Sequence, residues 1–356
     1  MTSPDRVLAA CAFRRPDRIP RWEGSFLEYP DSWFQRLGPL QDLSDISIWA
    51  PDETPFPTRA RRLKEESGWI YEMNGWGTTI RRRADAYFNQ TLEVAMPEGA
   101  DPDAVEFEPP QLDLRYDPER MWPPEYERDI ERAKRKHCVF AKTGGPYLRT
   151  TLVRGEAQFL LDIAGDPGLA KALADKVGDH LTAVGVEAVR RWSLQDSGIW
   201  IFDDMACNSG PMFSPAAFER IFLPAYRRMI GAYKQAGAKY VGLHCDGDPR
   251  ALLDMLIDAG IQALNPVEPR ANMDVVRLRE LYPRLILTGG MCNTATMVKG
   301  PIEKIEAEAR RIIDVGRDGG VIIGHHSISP EVPLEHFLAY QQTCLTYGDF
   351  TATDAG

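Results

Sequence analysis

The sequence contains no long hydrophobic run. Its opening stretch, MTSPDRVLAACAFRRPDRIP, lacks the continuous apolar core of a signal peptide, and no segment approaches the ~18 apolar residues that a membrane span needs. We therefore expect a cytoplasmic protein with no membrane partner.

Basic residues are too few for a nucleic-acid-binding surface. The 356 residues include 52 acidic and 42 basic side chains, for a net charge of -10, whereas phosphate binding needs a basic surface. Short basic clusters such as RARRLK at 59–64 are diluted by acids, which is typical of solvated faces. We expect no nucleic-acid partner.

Cysteine pairs and common nucleotide or hydrolase signatures are also missing. The six cysteines form no C-x-x-C pair, which argues against a disulfide scaffold or a zinc ribbon. Ser209 and Ser214 have no G-x-S-x-G context, and GGPYLRT at 144–150 lacks the spacing of a phosphate loop. That stretch can still bind an anion through its backbone N–H groups and Arg149, or form only a turn. We predict Arg149 as a substrate-binding residue.

The sequence does have a regular alternation of strand-like and helical segments. From about residue 137 onward, short apolar runs alternate with longer segments of helical spacing, which indicates a parallel sheet. At least six such strands are best accommodated by a closed α/β barrel, the TIM (β/α)8 fold. The apolar runs are HCVFAKT, GIWIFDDM, KYVGLHCDG, IQALNPVE, RLILTGG and GVIIGHH.

The first part of the chain is less regular. Residues 25–135 contain many Pro, Trp and Tyr residues, and we predict loops, extra helices and a small hairpin there. RIPRWEGSF is interpreted as the first barrel strand, which would place Glu23 in the pocket. We see no domain linker and predict one barrel domain over 1–356 with an elaborated N-terminal region.

Polar residues cluster where the predicted strands end. Because a TIM barrel keeps its active site at the carboxyl ends of its strands, we expect these residues to converge. They are Asp203, Asp204, His244, Asp246, Glu268, Gly289, Gly290, His325 and His326.

Four of these residues predict a metal site. His244 and Asp246 lie two positions apart on an extended segment, so both point to one side and Cys245 points to the other. Glu268 and His326 end later strands and can complete a mixed N/O site. The alternative is that these side chains only cap helices and bind loops. The order of His325 and His326 is open, because one bulge would exchange them.

The adjacent acids Asp203 and Asp204 predict a second functional feature. Only one of two neighbouring strand residues can point inward, where a carboxylate can accept a proton or bind a polar substrate group. We predict Asp204 and Glu23 as catalytic residues and Asp203 as a substrate-binding residue. Hydrogen bonding to loops is the structural alternative for all three.

Several longer motifs resemble the uroporphyrinogen decarboxylase superfamily. RVLAACAFRRPDRIP is similar to its N-terminal opening, FSPAAFERIFLPAYRRMI to its S-P-x-x-F…P-Y helix, and GGVIIGHHSISPEVPLEHFLAY to its closing segment. This superfamily has a TIM-barrel fold and also contains zinc-dependent methyltransferases that act with corrinoid proteins.

The resemblance implies a methyltransferase more than a porphyrinogen decarboxylase. The decarboxylases carry R-Q-A-G-R-Y near the N-terminus, where this chain reads RWEGSFLEYPDSW. The methyltransferases hold zinc with H-x-C-G and a later cysteine. His244 matches the first ligand, whereas Asp246 and His326 occupy the two cysteine positions.

The resemblance therefore implies zinc or another divalent metal on a harder donor set. It implies methyl transfer between a small oxygenated, methoxylated substrate and a corrinoid protein. The cobalamin would arrive on that separate protein. Two alternatives remain: a metal-free lyase that relies on Asp204 or Arg149, and a non-catalytic ligand binder.

Overall fold

The computed structural model describes residues 1–27, 31–83, 89–120 and 127–351. The predicted elaboration at 25–135 therefore lies partly outside the described residues. No helix within the described ranges combines the length and the apolar character that crossing a membrane requires.

The described residues form strands and helices that alternate along most of the chain. The strands are β1 Arg21–Leu27, β2 Ile46–Trp49, β3 Arg61–Glu66, β4 Trp69–Met73, β5 Thr79–Arg83, β6 Gln90–Glu93, β7 Cys138–Gly144, β8 Gly198–Phe202, β9 Ala206–Cys207, β10 Gly210–Pro211, β11 Tyr240–His244, β12 Ala263–Val267, β13 Ile286–Met291 and β14 Val321–Ile328. The α-helices are α1 Ser3–Cys11, α2 Asp31–Leu37, α3 Ile130–Lys136, α4 Pro146–Arg154, α5 Glu156–Gly165, α6 Pro167–Arg191, α7 Pro215–Ile221, α8 Leu223–Gln235, α9 Arg250–Ala259, α10 Val275–Leu281, α11 Ile302–Val315 and α12 Leu334–Thr346.

Eight of the strands form one parallel sheet in the order β1-β14-β13-β12-β11-β8-β7-β2. Helices follow most of these strands and cover the outer face of the sheet, as in a TIM barrel. The predicted fold class is confirmed. All eight carboxyl ends therefore open on one face.

The barrel interior is a packed core and not a pore. A layer of side chains from alternate positions of the strands fills its centre, where the rings of Trp22 and Trp200 lie 5.0 Å apart. Because side chains alternate along a strand, the residues two positions further along also face inward. This alternation brings Lys142, Phe202 and His244 to the upper end of the interior.

The two end strands of the sheet, β1 and β2, are linked by one backbone hydrogen bond and by side chains just before β2. Asp45 N donates to Arg21 O at 2.8 Å, and Arg21 N donates to the Asp45 carboxylate at 2.9 Å. The same carboxylate accepts hydrogen bonds from Arg6 and Arg18, each at 2.8 Å. Ser44 Oγ adds a contact to Glu23 N at 3.3 Å. A single buried carboxylate thus closes the lower part of the barrel.

The N-terminal elaboration contains an antiparallel sheet in the order β3-β4-β5-β6. The sequence predicted only a small hairpin around WGTTIRRR. Thr78 Oγ1 donates to Leu152 O at 2.7 Å and so ties the start of β5 to α4. All residues of β3 and β6 are exposed. Their sequences therefore lack the alternation of apolar and polar residues that indicates a half-buried strand.

Replacing Asp45 tests the closure between β1 and β2. Asp45→Asn should lower the free energy of unfolding by about 3–5 kcal/mol, because it removes the buried carboxylate that Arg18 and Arg6 share and leaves Arg6 only its pair with Asp17. Urea unfolding followed by circular dichroism measures the change. Asp42→Asn is the matched control, because Asp42 faces Lys136 in an exposed pair at 3.6 Å, and it should stay within about 0.5 kcal/mol.

The pH dependence of this difference gives a second readout. Burial acts to raise the pKa of Asp45, but the Arg18 charge and hydrogen bond outweigh it and lower the pKa below its ordinary value. The contribution of Asp45 is therefore complete above the unfolded pKa of about 3.9 and is lost only as pH falls through the lower folded pKa. A difference between the two proteins that vanished already at pH 6 would contradict this assignment.

Candidate functional site

His244 ends β11 and lies buried at the upper end of the barrel interior. Its ring stacks on Phe202 from the neighbouring strand β8, with centroids 4.2 Å apart and planes at 10°. Its Nδ1 lies 2.6 Å from Asn265 Oδ1. Because an amide oxygen only accepts, Nδ1–H donates to it and Nε2 keeps its lone pair. Metal-binding histidines are oriented in this way.

The Nε2 atom of His244 faces two further donors. It lies 3.7 Å from Asp246 Oδ1, and His326 Nε2 lies 3.3 Å from the same oxygen. The ligand atoms of these three residues all lie within 4.8 Å of one another. A tetrahedral ion with bonds of about 2.0–2.1 Å needs donors about 3.3–3.5 Å apart. The Asp246 oxygen lies at or near this separation from both imidazole nitrogens, so small side-chain movements would let the three donors hold a divalent ion such as zinc.

The site is open on the side of its carboxylates. The Asp246 side chain is 44% exposed, and that of Asp204, just beyond β8, is 38% exposed. Asp204 Oδ1 accepts a hydrogen bond from Asp246 N at 3.0 Å and lies 3.9 Å from His244 Nε2. Asp204 therefore borders the three donors and remains accessible to a substrate.

Burial controls the protonation of the inward histidine. It lowers the pKa of His244, although the Asp246 and Asp204 charges act against this shift and His326 adds to it. A neutral imidazole with a free lone pair is the form that binds a metal.

Cys245 points away from these donors. Its buried Sγ accepts a hydrogen bond from Met205 N at 3.3 Å, on the opposite side of the strand from His244. Burial raises the pKa of this thiol well above its usual value. Cys245 therefore packs as an apolar residue.

Glu268 is not brought into the group of three donors. The pairing of β12 with β13 is interrupted between Leu264 and Val267. The inward–outward alternation of side chains along β12 therefore does not predict the direction of Glu268. Its Oε1 instead accepts a hydrogen bond from Cys292 Sγ at 3.7 Å. Burial raises the pKa of Glu268, while the His326 charge acts in the opposite direction. Glu268 lies beside the site, and the donor group among the described residues does not include it.

Glu23 does not face the pocket, which corrects the expectation from the sequence. Trp22 takes the inward position of β1, so Glu23 faces the helices. It is paired in register with His325, whose Nε2 lies 3.3 Å from Glu23 Oε2. Gln341 of α12 donates to Glu23 Oε1 at 2.6 Å.

The same contacts fix the order of the two histidines in β14. His326 faces inward and His325 outward. Burial raises the pKa of Glu23 to about 7 and lowers that of His325 to about 4. Glu23 and His325 are therefore structural groups between the sheet and α12.

Asp203 also faces the helices and not the barrel interior. Its carboxylate accepts hydrogen bonds from Tyr147 N at 3.1 Å, Leu148 N at 2.6 Å and the Tyr226 hydroxyl at 2.7 Å. A Cβ at Gly145 would clash with the Asp203 side chain, so a glycine is required there. The anion bound by GGPYLRT is therefore the carboxylate of Asp203 at the start of α4.

Burial raises the pKa of Asp203 to about 6, against the effect of these hydrogen bonds. The backbone donors and Tyr226 favour the charged form, so burial is the larger effect. These contacts account for both carboxylate oxygens of Asp203 without a substrate.

Arg149 lies in a buried ionic cluster near the barrel mouth. Its Nε donates to Glu53 Oε1 at 2.6 Å, and Lys142 Nζ lies 3.5 Å from the same oxygen. Burial acts to raise the pKa of Glu53, but the Arg149 and Lys142 charges outweigh it and lower the pKa. A Cβ at Gly144 would clash with the Arg149 side chain, so this glycine also makes room for the cluster.

Sequence reasoning missed Lys142, Glu53 and Asn265. Lys142 is the one charged residue in the apolar run HCVFAKT, two positions after the inward-facing Phe140. Asn265 is likewise a polar residue in the middle of the apolar run IQALNPVE, two positions after the inward-facing Ala263. Lys142 and Asn265 could have been found as polar residues at positions that the two-residue alternation places inside the barrel. Glu53 carried no such signal, because it follows β2 in an irregular segment.

Comparisons with known proteins identify one family. The chain matches the family model for uroporphyrinogen decarboxylase (URO-D) over residues 128–347. The uroporphyrinogen decarboxylase of Syntrophotalea carbinolica is 30% identical over 129 residues, which cover 36% of this chain and 36% of that protein. The methylcobamide:CoM methyltransferase MtaA of Methanosarcina barkeri strain Fusaro is 29% identical over 132 residues, 37% of each chain. These matches span little more than a third of the curated relatives.

The fold is shared over almost the whole chain with a solved structure. A methyltransferase from Methanosarcina mazei superposes with a TM-score of 0.66 at 18% identity, and the match covers 98% of this chain and 99% of the other. The URO-D family model matches more than half of this chain, and the chain therefore belongs to the uroporphyrinogen decarboxylase family.

Proposed function

We propose that this protein is a metal-dependent methyltransferase that moves a methyl group between a small methoxylated substrate and a corrinoid protein. The convergence of His244, Asp246 and His326, whose ligand atoms all lie within 4.8 Å of one another, carries this proposal. Similarity to two MtaA methyltransferases of Methanosarcina barkeri supports it.

The donor set favours an oxygen-containing substrate. Two imidazoles and one carboxylate are harder donors than thiolates and suit zinc or another divalent ion. A divalent ion bound there would act as a Lewis acid on the oxygen of the methyl donor. The exposed side of Asp246 leaves room for a substrate oxygen to approach.

Asp204 is proposed to handle the proton of the reacting oxygen. A reduced corrinoid would supply the electron pair that accepts the methyl group, and the oxygen that loses this group would then need a proton. Asp204 has an exposed carboxylate beside the three donors and can hold this proton. Glu23 and Asp203 have no part in this proposal, because both face the helices.

The corrinoid is proposed to arrive on a separate protein. The described residues form one barrel and its N-terminal elaboration. The carboxyl-terminal face of that barrel, where the three donors lie, is the face on which a methylated or reduced corrinoid must approach the substrate.

Decarboxylation is the second candidate function. The URO-D family model and two uroporphyrinogen decarboxylases among the relatives favour it. It would use Asp204 or Arg149 and need no metal. Arg149, however, is already bound to Glu53. Release of carbon dioxide by metal-free protein would identify a lyase, and ligand binding without turnover would identify a binder.

The metal content of purified, untagged protein tests the donor set. We expect about one divalent ion per chain by elemental analysis, as for a structural or catalytic zinc site. His244→Ala and His326→Ala should each lose most of it, because either change removes one of three donors. Cys245→Ala should retain it, since Cys245 points away. Metal-free wild-type protein after incubation with zinc would end this proposal.

Asn265 gives a finer test of the same site. Asn265→Leu removes the acceptor that fixes the His244 tautomer and should weaken zinc affinity by about 10–100-fold. Asn265→Asp is the matched control, because it keeps an acceptor oxygen at the same place, and its affinity should stay much closer to wild type. Competition against a chromophoric chelator measures both. Equal affinities for all three proteins would show that Asn265 does not orient His244.

Methyl transfer itself is tested with reduced free cobalamin and methoxylated compounds. The absorbance change on methylation should require metal, and Asp204→Asn should lower kcat by about 10²–10⁴-fold while metal content is unchanged. Asp203→Asn should affect stability before activity, since Asp203 caps α4. An Asp204→Asn enzyme with full kcat would remove Asp204 from the mechanism.

A further inference from the structure

We propose that Lys142 binds a carboxylate of the substrate, so that the methyl donors are small methoxylated carboxylic acids. This inference rests on the proposed function, because it places the anionic group at the same end of the barrel interior as the three donors. It assigns a substrate class and a residue that determines specificity.

Lys142 occupies an inward position at the upper end of β7. Phe140, two residues earlier, belongs to the interior core, and the alternation carries Lys142 toward the mouth. Its side chain is 18% exposed, so it is mostly buried but still accessible. A lysine at such a position needs a compensating anion.

The protein supplies only part of that compensation. Glu53 is shared among Arg149 Nε at 2.6 Å, the backbone N–H of Gly144 and Lys142 Nζ at 3.5 Å. The shortest side-chain contact is to Arg149, and the contact to Lys142 is at the limit of a hydrogen bond. One buried carboxylate thus serves two cations, and the only other acid that acts on Lys142 among the described residues is the more exposed Asp204, with a smaller effect.

The ammonium of Lys142 has capacity for a ligand. An ammonium carries three donors, and the single hydrogen bond recorded for Lys142 within the described ranges is the long one to Glu53. Burial lowers its pKa, against the effect of the Glu53 charge. A substrate carboxylate would take the remaining donors of the Lys142 ammonium and complete the compensation that the shared Glu53 gives only in part. Arg149 is held by Glu53 and stands beside Trp76, so it positions the cluster.

Phe202 connects this cation to the three donors. Lys142 Nζ lies 5.3 Å from the centroid of the Phe202 ring, and the same ring stacks on His244. Phe202 belongs to β8, and the two polar residues come from the strands on either side of it. A substrate that spans them needs a short apolar body over one aromatic ring, with a carboxylate at one end and the methoxy oxygen at the other.

The test compares acids with their neutral amides. Titration calorimetry on zinc-loaded wild-type protein uses 3-methoxybenzoate against 3-methoxybenzamide, and methoxyacetate against methoxyacetamide. A hydrogen-bonded charge pair predicts that at least one acid binds about ten- to a hundredfold more tightly than its amide. Equal or weaker binding of both acids would overturn the proposal.

Two lysine variants locate the effect. Lys142→Met keeps the aliphatic stem and should abolish the preference for the acid, and Lys142→Arg should restore part of it. Lys239→Met is the matched control, because Lys239 also lies near an aromatic ring, that of Tyr240, but directly before the start of β11. The Lys239→Met protein should bind the acids and amides as the wild-type protein does. A folded Lys142→Met protein that kept the full preference would overturn the proposal.

The same experiments separate this inference from the proposed function. A carboxylate preference that depends on Lys142, in a protein that never methylates cobalamin, would support the binding site and reject methyl transfer. Methyl transfer from neutral methoxy compounds, without any preference for acids, would reject the role of Lys142 and leave the methyltransferase standing. The zinc content of every variant is measured as well, so that weaker binding caused by loss of metal is distinguished from weaker binding of the carboxylate.

Discussion

The two-residue alternation of side chains in a closed parallel barrel is the constraint on which the site depends. Each strand can offer the interior only every second residue, and a shift of one position exchanges the two faces. His244 and Asp246 share a side because Cys245 lies between them. In β14 the same rule gives His326 to the interior and His325 to the helices.

Carboxylates on the helix side of the sheet stabilise the barrel, and those at its mouth remain accessible. Asp45 joins β1 to β2, and Asp203 accepts backbone N–H groups of α4. Both are buried and use their oxygens within the protein. Asp204 and Asp246 lie beyond the strand ends, where water or a substrate reaches them. Similar acids thus differ in role because of the direction in which they face.

The sequence predicted the barrel and the side shared by His244 and Asp246, because both follow from repeating patterns. Whether these residues bind a metal stays a prediction. The direction of Glu23 was wrong, because the phase of a short strand cannot be read from its ends. Glu268 follows an interruption in strand pairing, which no local pattern reveals. The adjacency of Asp203 and Asp204 predicted that only one of these acids faces inward. Which of the two does so depends on the packing of α4, whose backbone N–H groups bind Asp203.

The three donors come from strands that are not neighbours. β12 and β13 lie between β11 and β14 in the sheet, so an ion held by His244 and His326 would tie together distant parts of the chain. Because this site exists only in the folded chain, the free energy of binding the ion would add to the stability of the fold. Metal supply would then set how much of the folded protein a cell can maintain, in addition to how active each molecule is.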